Sequence, residues 1–138
     1  MHDLPARAER AGVDVTRLDT EDLDGVAPFD LILCDAPCSG SGAWRRSPDG
    51  KWRLDQARLS ELCQIQASIL DTASQMVSVG GALAYATCSV LSAENSEQAE
   101  QFISRKSDWT LAFQQQWTMQ NGADGFYAAH LTRDESGT

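Results

Sequence analysis

One stretch constrains the fold more than any other, because a near-continuous apolar run breaks abruptly into small, polar and reactive residues. The run is Phe29–Cys34, and the break is Asp35–Gly42, which reads Asp-Ala-Pro-Cys-Ser-Gly-Ser-Gly. An apolar run of this length is typical of a strand buried on both faces of a parallel sheet. A reactive loop directly after such a strand indicates a functional site at the carboxyl end of the sheet.

A second stretch repeats this design. Gly81–Ser89 passes from small and apolar residues into Thr-Cys-Ser, so each stretch ends in a Cys-Ser pair. Neighbouring parallel strands place their carboxyl ends at the same edge of a sheet. We therefore expect Cys38 and Cys88 to meet there.

The remaining patterns alternate between strands and helices, which predicts an α/β fold with parallel crossovers and helices on both faces of the sheet. They predict helices over Leu4–Arg10, over about Asp55–Val79 (ended by Gly80–Gly81) and from an N-cap at Ser92 to about Arg105. They also predict a strand over Val13–Thr16, an acidic loop at Asp19–Asp22, a long loop over Ser39–Trp52, and a closing antiparallel pair formed by Trp109–Trp117 and Phe126–Thr132. That pair places an antiparallel strand at the edge.

Composition limits the class of protein. At 138 residues the chain is one domain at most, and no run of 18 apolar residues predicts a membrane span. The first residues lack the apolar core of a signal peptide, and the four cysteines fall on predicted strands and a helix. These features predict reduced thiols in the cytoplasm.

Charge gives a mixed indication. The net charge of -9 argues against a free-standing nucleic-acid-binding domain, since such domains are usually basic. Yet Arg45, Arg46, Lys51 and Arg53 cluster within nine positions after the Cys38 loop. From charge alone, the cluster is a solvated surface loop.

Four motifs, in order, resemble those of the RNA cytosine-5 methyltransferases of the Sun/Fmu family. They span roughly Asp19–Arg133 and are specific as a set. They are Asp35–Gly42, Arg45–Trp52 (typical of the bacterial small-subunit rRNA branch), Ala86–Val90 followed by Glu94-Asn95, and Asp124–Tyr127.

The resemblance implies the C-terminal half of a Rossmann-like class I methyltransferase sheet, mostly parallel with an antiparallel edge strand. It implies methylation of RNA, specifically 16S rRNA, at carbon 5 of cytosine, with S-adenosylmethionine as the cofactor. Cys88 would add to carbon 6 of the base as the nucleophile. Cys38 would assist elimination of the enzyme, and Asp35 would hold the ring-nitrogen edge of the flipped cytosine.

The resemblance also assigns binding residues. Asp19, Asp35 and Pro37 would lie at the cofactor, although Glu21 and Asp22 compete with Asp19, and a solvated acidic loop explains all three carboxylates equally well. Arg45, Arg46 and Lys51 would contact RNA phosphates. Trp44 and Trp52 would either stack on bases or pack the loop.

The chain departs from the family by lacking the glycine-rich cofactor loop, the first strands and an N-terminal RNA-binding domain. We therefore expect residues 1–133 to form a partial methyltransferase domain, followed by a disordered tail over residues 134–138. Phe29–Cys34 would then be an exposed apolar edge, through which two copies could pair as a homodimer.

Other interpretations remain open. Cys88 could be a small buried hydrophobic residue, as free cysteines often are. The chain could also be a non-catalytic RNA-binding or assembly module that retains the fold. A thiol redox protein is disfavoured because no Cys-x-x-Cys motif occurs, and zinc is disfavoured because Cys34 and Cys38 have no second ligand pair. We predict no metal site.

Overall fold

A four-stranded mixed sheet organises the chain. The computed structural model describes residues 3–135, and the strands lie in the order β1-β2-β4-β3. They are β1 (Phe29–Asp35), β2 (Val77–Thr87), β3 (Trp109–Trp117) and β4 (Phe126–Arg133). β1 pairs with β2 in parallel, whereas β4 is antiparallel to both β2 and β3. The predicted α/β class is confirmed, and the edge strand β3 joins the sheet through an antiparallel pairing.

The helices are α1 (Leu4–Ala11), α2 (Asp49–Arg53), α3 (Gln56–Gln75) and α4 (Ser96–Arg105). Short 3-10 turns cover Thr20–Gly25, Ser41–Ala43, Ser92–Glu94 and Gln120–Gly122. Within residues 3–135, none of the helices has the length and apolar character needed to cross a membrane.

The core lies between α3, α4 and one face of the sheet. Leu70 of α3 and Phe102 of α4 are fully buried, together with Leu83, Tyr85 and Leu131 of the two central strands. Two edge-to-face aromatic pairs, Tyr85 with Tyr127 and Phe102 with Trp109, lie within this core. Such pairs add to the apolar burial that holds the helices on the sheet.

The opposite face of the sheet is exposed. Leu33, Ala84, His130 and Phe113 are register neighbours across the four strands and therefore share this face. Leu33 is 67% exposed and Phe113 is 54% exposed. The predictions that β1 is buried on both faces and that helices cover both faces are thus wrong, because the two long helices α3 and α4 pack on a single face.

The position of β1 agrees with expectation. It is the first strand in the sheet order, and only β2 pairs with it among the described residues. The predicted exposed apolar edge is therefore present, and Leu31 of β1 is 62% exposed.

The predicted strand at Val13–Thr16 is wrong. Residues 13–19 have no regular structure, and Val13 and Val15 are 55% and 46% exposed. Alternating residues form a strand only where a neighbouring strand supplies hydrogen bonds. No described strand pairs with this segment, whereas the helix predicted just before it is confirmed as α1.

Two glycines lie inside a strand rather than at a helix end. α3 ends at Gln75, and β2 already begins at Val77, so the predicted end of the helix at Gly80–Gly81 is wrong. Gly80 has φ +77°, and a Cβ on Gly81 would lie 2.9 Å from the carbonyl oxygen of Asp30. The β1–β2 register shifts here, so the glycines permit an irregularity in the sheet.

The remaining predicted element boundaries differ from the observed ones by smaller amounts. The predicted loop Ser39–Trp52 contains a 3-10 turn and most of α2. α4 starts at Ser96 after Asn95, because Ser92 opens a separate 3-10 turn instead of capping the helix. Of the predicted tail, Asp134 donates its backbone N–H to the carbonyl oxygen of Asp108 at 2.9 Å, and residues 136–138 lie outside the described part.

One matched pair of substitutions tests the one-sided packing. Leu83→Ala should lower the free energy of unfolding by roughly 2–5 kcal/mol, because it empties a fully buried site. Leu33→Ala, on the neighbouring strand but 67% exposed, should change it by less than about 0.5 kcal/mol. Urea unfolding followed by circular dichroism measures both, and an equal loss would mean that something covers the Leu33 face in solution.

Candidate active site

The parallel pairing of β1 with β2 brings two loops to one edge of the sheet. Asp35 is the register partner of Ala86, and the backbone N–H of Ala36 donates to the carbonyl oxygen of Ala86 at 3.0 Å. The two strands therefore end level with each other. The chain continues from this edge into the Cys38 loop and the Cys88 loop, as the sequence predicts.

Backbone contacts hold the two loops against the start of β4. The N–H of Gly42 donates to the carbonyl oxygen of Cys88 at 3.0 Å, and the N–H of Gly125 donates to the carbonyl oxygen of Gly42 at 2.8 Å. A Cβ on Gly42 would overlap the backbone carbonyl of Gly125. Only glycine permits this approach, which explains its place in the loop.

A buried polar cluster lies beneath the loops. The hydroxyls of Ser41 and Ser89 are 2.9 Å apart, and the backbone N–H of Val90 donates to Ser41 Oγ at 2.9 Å. Ser41 and Ser89 are fully buried, as is the carboxylate of Glu94. Buried polar groups of this kind are tolerated because each finds a partner, and their network rigidifies the loops.

The two thiols meet at this edge. Cys38 Sγ lies 3.4 Å from Cys88 Sγ, which confirms the expected proximity. Cys88 is exposed, so it is not a small buried hydrophobic residue. Burial raises the pKa of the half-buried Cys38 thiol to about 12, chiefly through desolvation of its charged form. Cys38 is therefore a neutral thiol at physiological pH and can donate a hydrogen bond to Cys88.

The other two cysteines lie apart from this pair. Cys34 is buried in β1, and burial raises its pKa to about 11. Cys63 on α3 donates to the carbonyl oxygen of Ala93 at 3.4 Å. All four thiols are free, and the residues from 3 to 135 contain no group of three potential metal-ligating side chains.

The residues assigned to the cofactor lie on two segments of the chain. Asp35 and Pro37 are exposed at the end of β1, just before Cys38 in the chain, and the carbonyl oxygen of Pro37 accepts a hydrogen bond from Gln66 at 2.9 Å. Asp19 is exposed just before the 3-10 turn Thr20–Gly25 and makes no capping hydrogen bond there.

The basic loop after Cys38 presents its charges to solvent. Arg45, Arg46 and Lys51 are all exposed, and Arg46 forms an ion pair with Asp124 at the start of β4. This pair lowers the pKa of Asp124 and raises that of Arg46, through a charge-assisted hydrogen bond in both cases. The ion pair ties the loop to the sheet.

The two tryptophans of this loop behave differently. Trp52 is 83% exposed, with the Lys51 ammonium 6.0 Å from its ring centroid. The indole nitrogen of Trp44 is buried, and a Cβ on Gly50 would lie 2.8 Å from it. Trp44 therefore packs the loop, whereas Trp52 is available to stack on a base.

A cavity of about 210 Å³ opens beside Cys38. It is lined by Cys38, Ser39, Gly50, Arg53, Leu54, Arg58 and Leu62. Arg58 already pairs with Glu61, at 2.6 Å, so this wall of the cavity is only partly cationic.

Two buried polar residues at this edge of the sheet could not be singled out from the sequence. Gln66 is fully buried on the core face of α3 and reaches the Pro37 carbonyl, and Glu94 lies buried just before α4. A polar residue at the apolar spacing of an amphipathic helix could have identified Gln66. Glu94 lies within one of the four motifs, but the motif alone does not indicate that its carboxylate is buried or what it contacts.

A family model described as 16S rRNA methyltransferase RsmB/F matches residues 2–132. The chain belongs to this family. The resemblance drawn from the four motifs is thereby confirmed, and both cysteine loops of this chain lie within the matched region.

The names of curated relatives agree with this family assignment. A protein named ribosomal RNA small subunit methyltransferase B from Salmonella paratyphi A is 43% identical over 117 residues, which are 79% of this chain and 27% of that protein. Its namesake from Cronobacter sakazakii is 51% identical over 87 residues, which are 63% of this chain and 20% of that protein. The chain thus spans about a quarter of the length of the relatives it matches.

Solved structures share the fold. The crystal structure of PH0851 superposes with a TM-score of 0.82 at 26% identity, covering 95% of this chain and 34% of that one. NSun6 from Pyrococcus horikoshii, solved with SFG, gives a TM-score of 0.76 at 20% identity over 96% of this chain and 38% of that one. The sheet of this chain is therefore part of a Rossmann-like methyltransferase fold.

The thiol environments predict an order of alkylation. With iodoacetamide at pH 8, Cys88 should react at least about tenfold faster than Cys38 and Cys34, because Cys88 is exposed and burial keeps the other two protonated. Burial raises the pKa of Cys38, so its thiolate becomes abundant only near pH 12 and its reactivity should rise with pH up to that point.

Samples are quenched at timed intervals, and tandem mass spectrometry of the tryptic peptides measures the four rates. Fragmentation is needed because Cys34 and Cys38 share the peptide 18–45, and Cys63 and Cys88 share the peptide 59–105. Cys63→Ser serves as a control that removes a thiol outside this edge. Equal rates for Cys38 and Cys88 would contradict the burial difference described here.

Proposed function

We propose that the protein to which this chain belongs methylates carbon 5 of a cytosine in 16S rRNA, with S-adenosylmethionine as methyl donor. The observation that carries the proposal is the pair of thiols 3.4 Å apart at the shared carboxyl edge of β1 and β2. Family membership and relatives named as small-subunit rRNA methyltransferases support the RNA substrate.

Cys88 is the proposed nucleophile. Its thiolate adds to carbon 6 of cytosine, and the ring electrons then make carbon 5 nucleophilic toward an electrophilic methyl group. Cys88 is the exposed member of the pair, so a base can reach it. The neutral Cys38 thiol donates a hydrogen bond to the Cys88 sulfur, which stabilises that sulfur as a thiolate before addition and again when it leaves.

Asp35 is the proposed contact for the base. It is exposed at the end of β1, three residues before Cys38, and its carboxylate can accept from the exocyclic amine and hold a proton on the ring nitrogen. With that proton in place, the electrons displaced when Cys88 adds to carbon 6 neutralise the positive charge of the ring, so no anion has to form on the nitrogen. After methyl transfer, water takes the proton from carbon 5, the double bond between carbons 5 and 6 re-forms, and the thiolate of Cys88 is expelled. The ring nitrogen then returns its proton to solvent.

S-adenosylmethionine would supply the electrophilic methyl group. The residues present fit part of this molecule: Asp19 offers an exposed carboxylate for the adenine amino group, and Asp35 and Pro37 are exposed at the end of β1. Arg45, Arg46 and Lys51 are the proposed contacts for RNA phosphates, and Trp52 for a base.

The four free thiols among the described residues support a reducing compartment, and we propose the cytoplasm.

We also propose that residues 1–133 are part of a catalytic domain that needs further strands. The exposed edge strand β1, the uncovered face with Leu31 and Leu33, and the quarter-length match to relatives all support this. A complementary segment would pair with β1. Pairing of two copies through the same edge is the competing arrangement.

A trapping experiment tests the cysteine roles. The full-length protein, incubated with 5-fluorocytidine-containing 16S rRNA and S-adenosylmethionine, should form a covalent adduct, because fluorine at carbon 5 prevents release of Cys88. Cys88→Ala should abolish the adduct, while Cys63→Ala should leave it unchanged. Denaturing gel electrophoresis detects it. An adduct that survives Cys88→Ala would assign another nucleophile, and no adduct at all would favour a non-catalytic RNA-binding or assembly module.

Calorimetric titration tests the partial-domain proposal. The isolated chain should bind S-adenosylmethionine weakly or not at all, because a cradle built from further strands is needed. Sedimentation in the same buffer establishes whether the chain is monomeric. Micromolar binding by a monomer would overturn the proposal.

A further inference from the structure

We propose that Glu94 is the positioning residue for both cysteines, because its buried carboxylate joins the two loops and sets the distance between the thiols. The catalytic meaning of that distance rests on the proposed function above. The contacts of the Glu94 carboxylate join the two loops.

Glu94 contacts the residue that directly follows each cysteine. Its Oε1 accepts from the backbone N–H of Ser39 at 2.8 Å, and its Oε2 accepts from Ser39 Oγ at 2.6 Å. The same Oε2 accepts from Ser89 Oγ at 2.5 Å. One carboxylate thus bridges residues 50 positions apart, one step from Cys38 and one step from Cys88.

A further donor completes the set. Gln66 Nε2 donates to Glu94 Oε1 at 3.1 Å and to the Pro37 carbonyl oxygen at 2.9 Å, so it holds the other side of the Cys38 loop. Together these contacts give the carboxylate four donors, which match its acceptor capacity. Glu94 is 0% exposed, and a buried carboxylate with all four sites filled has one tightly defined position.

The backbone of Glu94 is anchored separately from its carboxylate. Its carbonyl oxygen accepts from the Tyr85 hydroxyl at 2.6 Å, within the core beside β2. Replacement of the carboxylate alone therefore leaves the main chain held. This separation allows the positioning role to be distinguished from a general role in folding.

The thiol–thiol geometry can be read from disulfide equilibrium. Two thiols react with glutathione disulfide to give the Cys38–Cys88 disulfide and two glutathione thiols, and the equilibrium constant is the effective concentration of one thiol at the other. The measurement uses this chain with Cys34→Ser and Cys63→Ser, so that only the pair responds. Mass spectrometry of samples equilibrated with glutathione gives the ratio of the disulfide form to the dithiol form.

Glu94→Gln, which keeps the shape and removes the charge, should lower the effective concentration at least about tenfold, because charge-assisted bonds to both loops are lost. Glu100→Gln, an exposed glutamate on α4, should leave it within about twofold. Circular dichroism confirms that both variants are folded. If Glu94→Gln does not fold, Ser39→Ala, which removes one hydroxyl link, should lower the effective concentration by about threefold.

An unchanged effective concentration in a folded Glu94→Gln variant would overturn the proposal. Failure of the unsubstituted pair to form the disulfide would overturn it as well, since the thiols would not be held together. The equilibrium involves no methyl transfer, so its outcome is separate from that of the proposed function. In the full-length enzyme, Glu94→Gln should then lower kcat for methyl transfer while KM for RNA stays the same.

Discussion

The parallel register between β1 and β2 is the constraint on which the site depends. Because Asp35 and Ala86 are register partners, the two strands end level and their loops leave from one edge. A shift of one residue would turn every side chain of β1 to the other face and carry Cys38 away from Cys88. Near Gly80, β2 contains more residues than the part of β1 that faces it, and a register shift accommodates the difference. From Leu31 to Asp35 the pairing is regular up to the site.

The sheet is built asymmetrically around that edge. One face is closed by α3 and α4, whose apolar residues pack on the central strands, while the other face leaves leucines of β1 in water. The covered face is also where Gln66 reaches the Cys38 loop from α3. The same helix, α3, therefore contributes both to the apolar core and to the polar contacts beneath the thiols. Both sets of contacts lie on the covered face of the sheet.

Much of this could be predicted from local patterns, and the failures have a common origin. β1, the two closing strands and the meeting of Cys38 with Cys88 follow from apolar runs and from the geometry of parallel strands. Burial of β1 on both faces did not follow, because an apolar run shows what a strand can bury and not what covers it. Val13–Thr16 alternates like a strand but lacks a pairing partner. Glu94 could not be assigned because its contact with the Cys38 loop is to Ser39, which lies 55 positions away in sequence.

The ion pair between Arg46 and Asp124 has a consequence for how this acidic chain meets a polyanion. Arg46 already has an anionic partner, so a phosphate that contacts it must displace the Asp124 carboxylate, and the exchange of one anion for another yields little net attraction. Arg45 and Lys51 are left to attract phosphate directly, against a net charge of -9. If this loop contacts RNA as proposed, it would select the RNA by fit at the loop more than by long-range attraction.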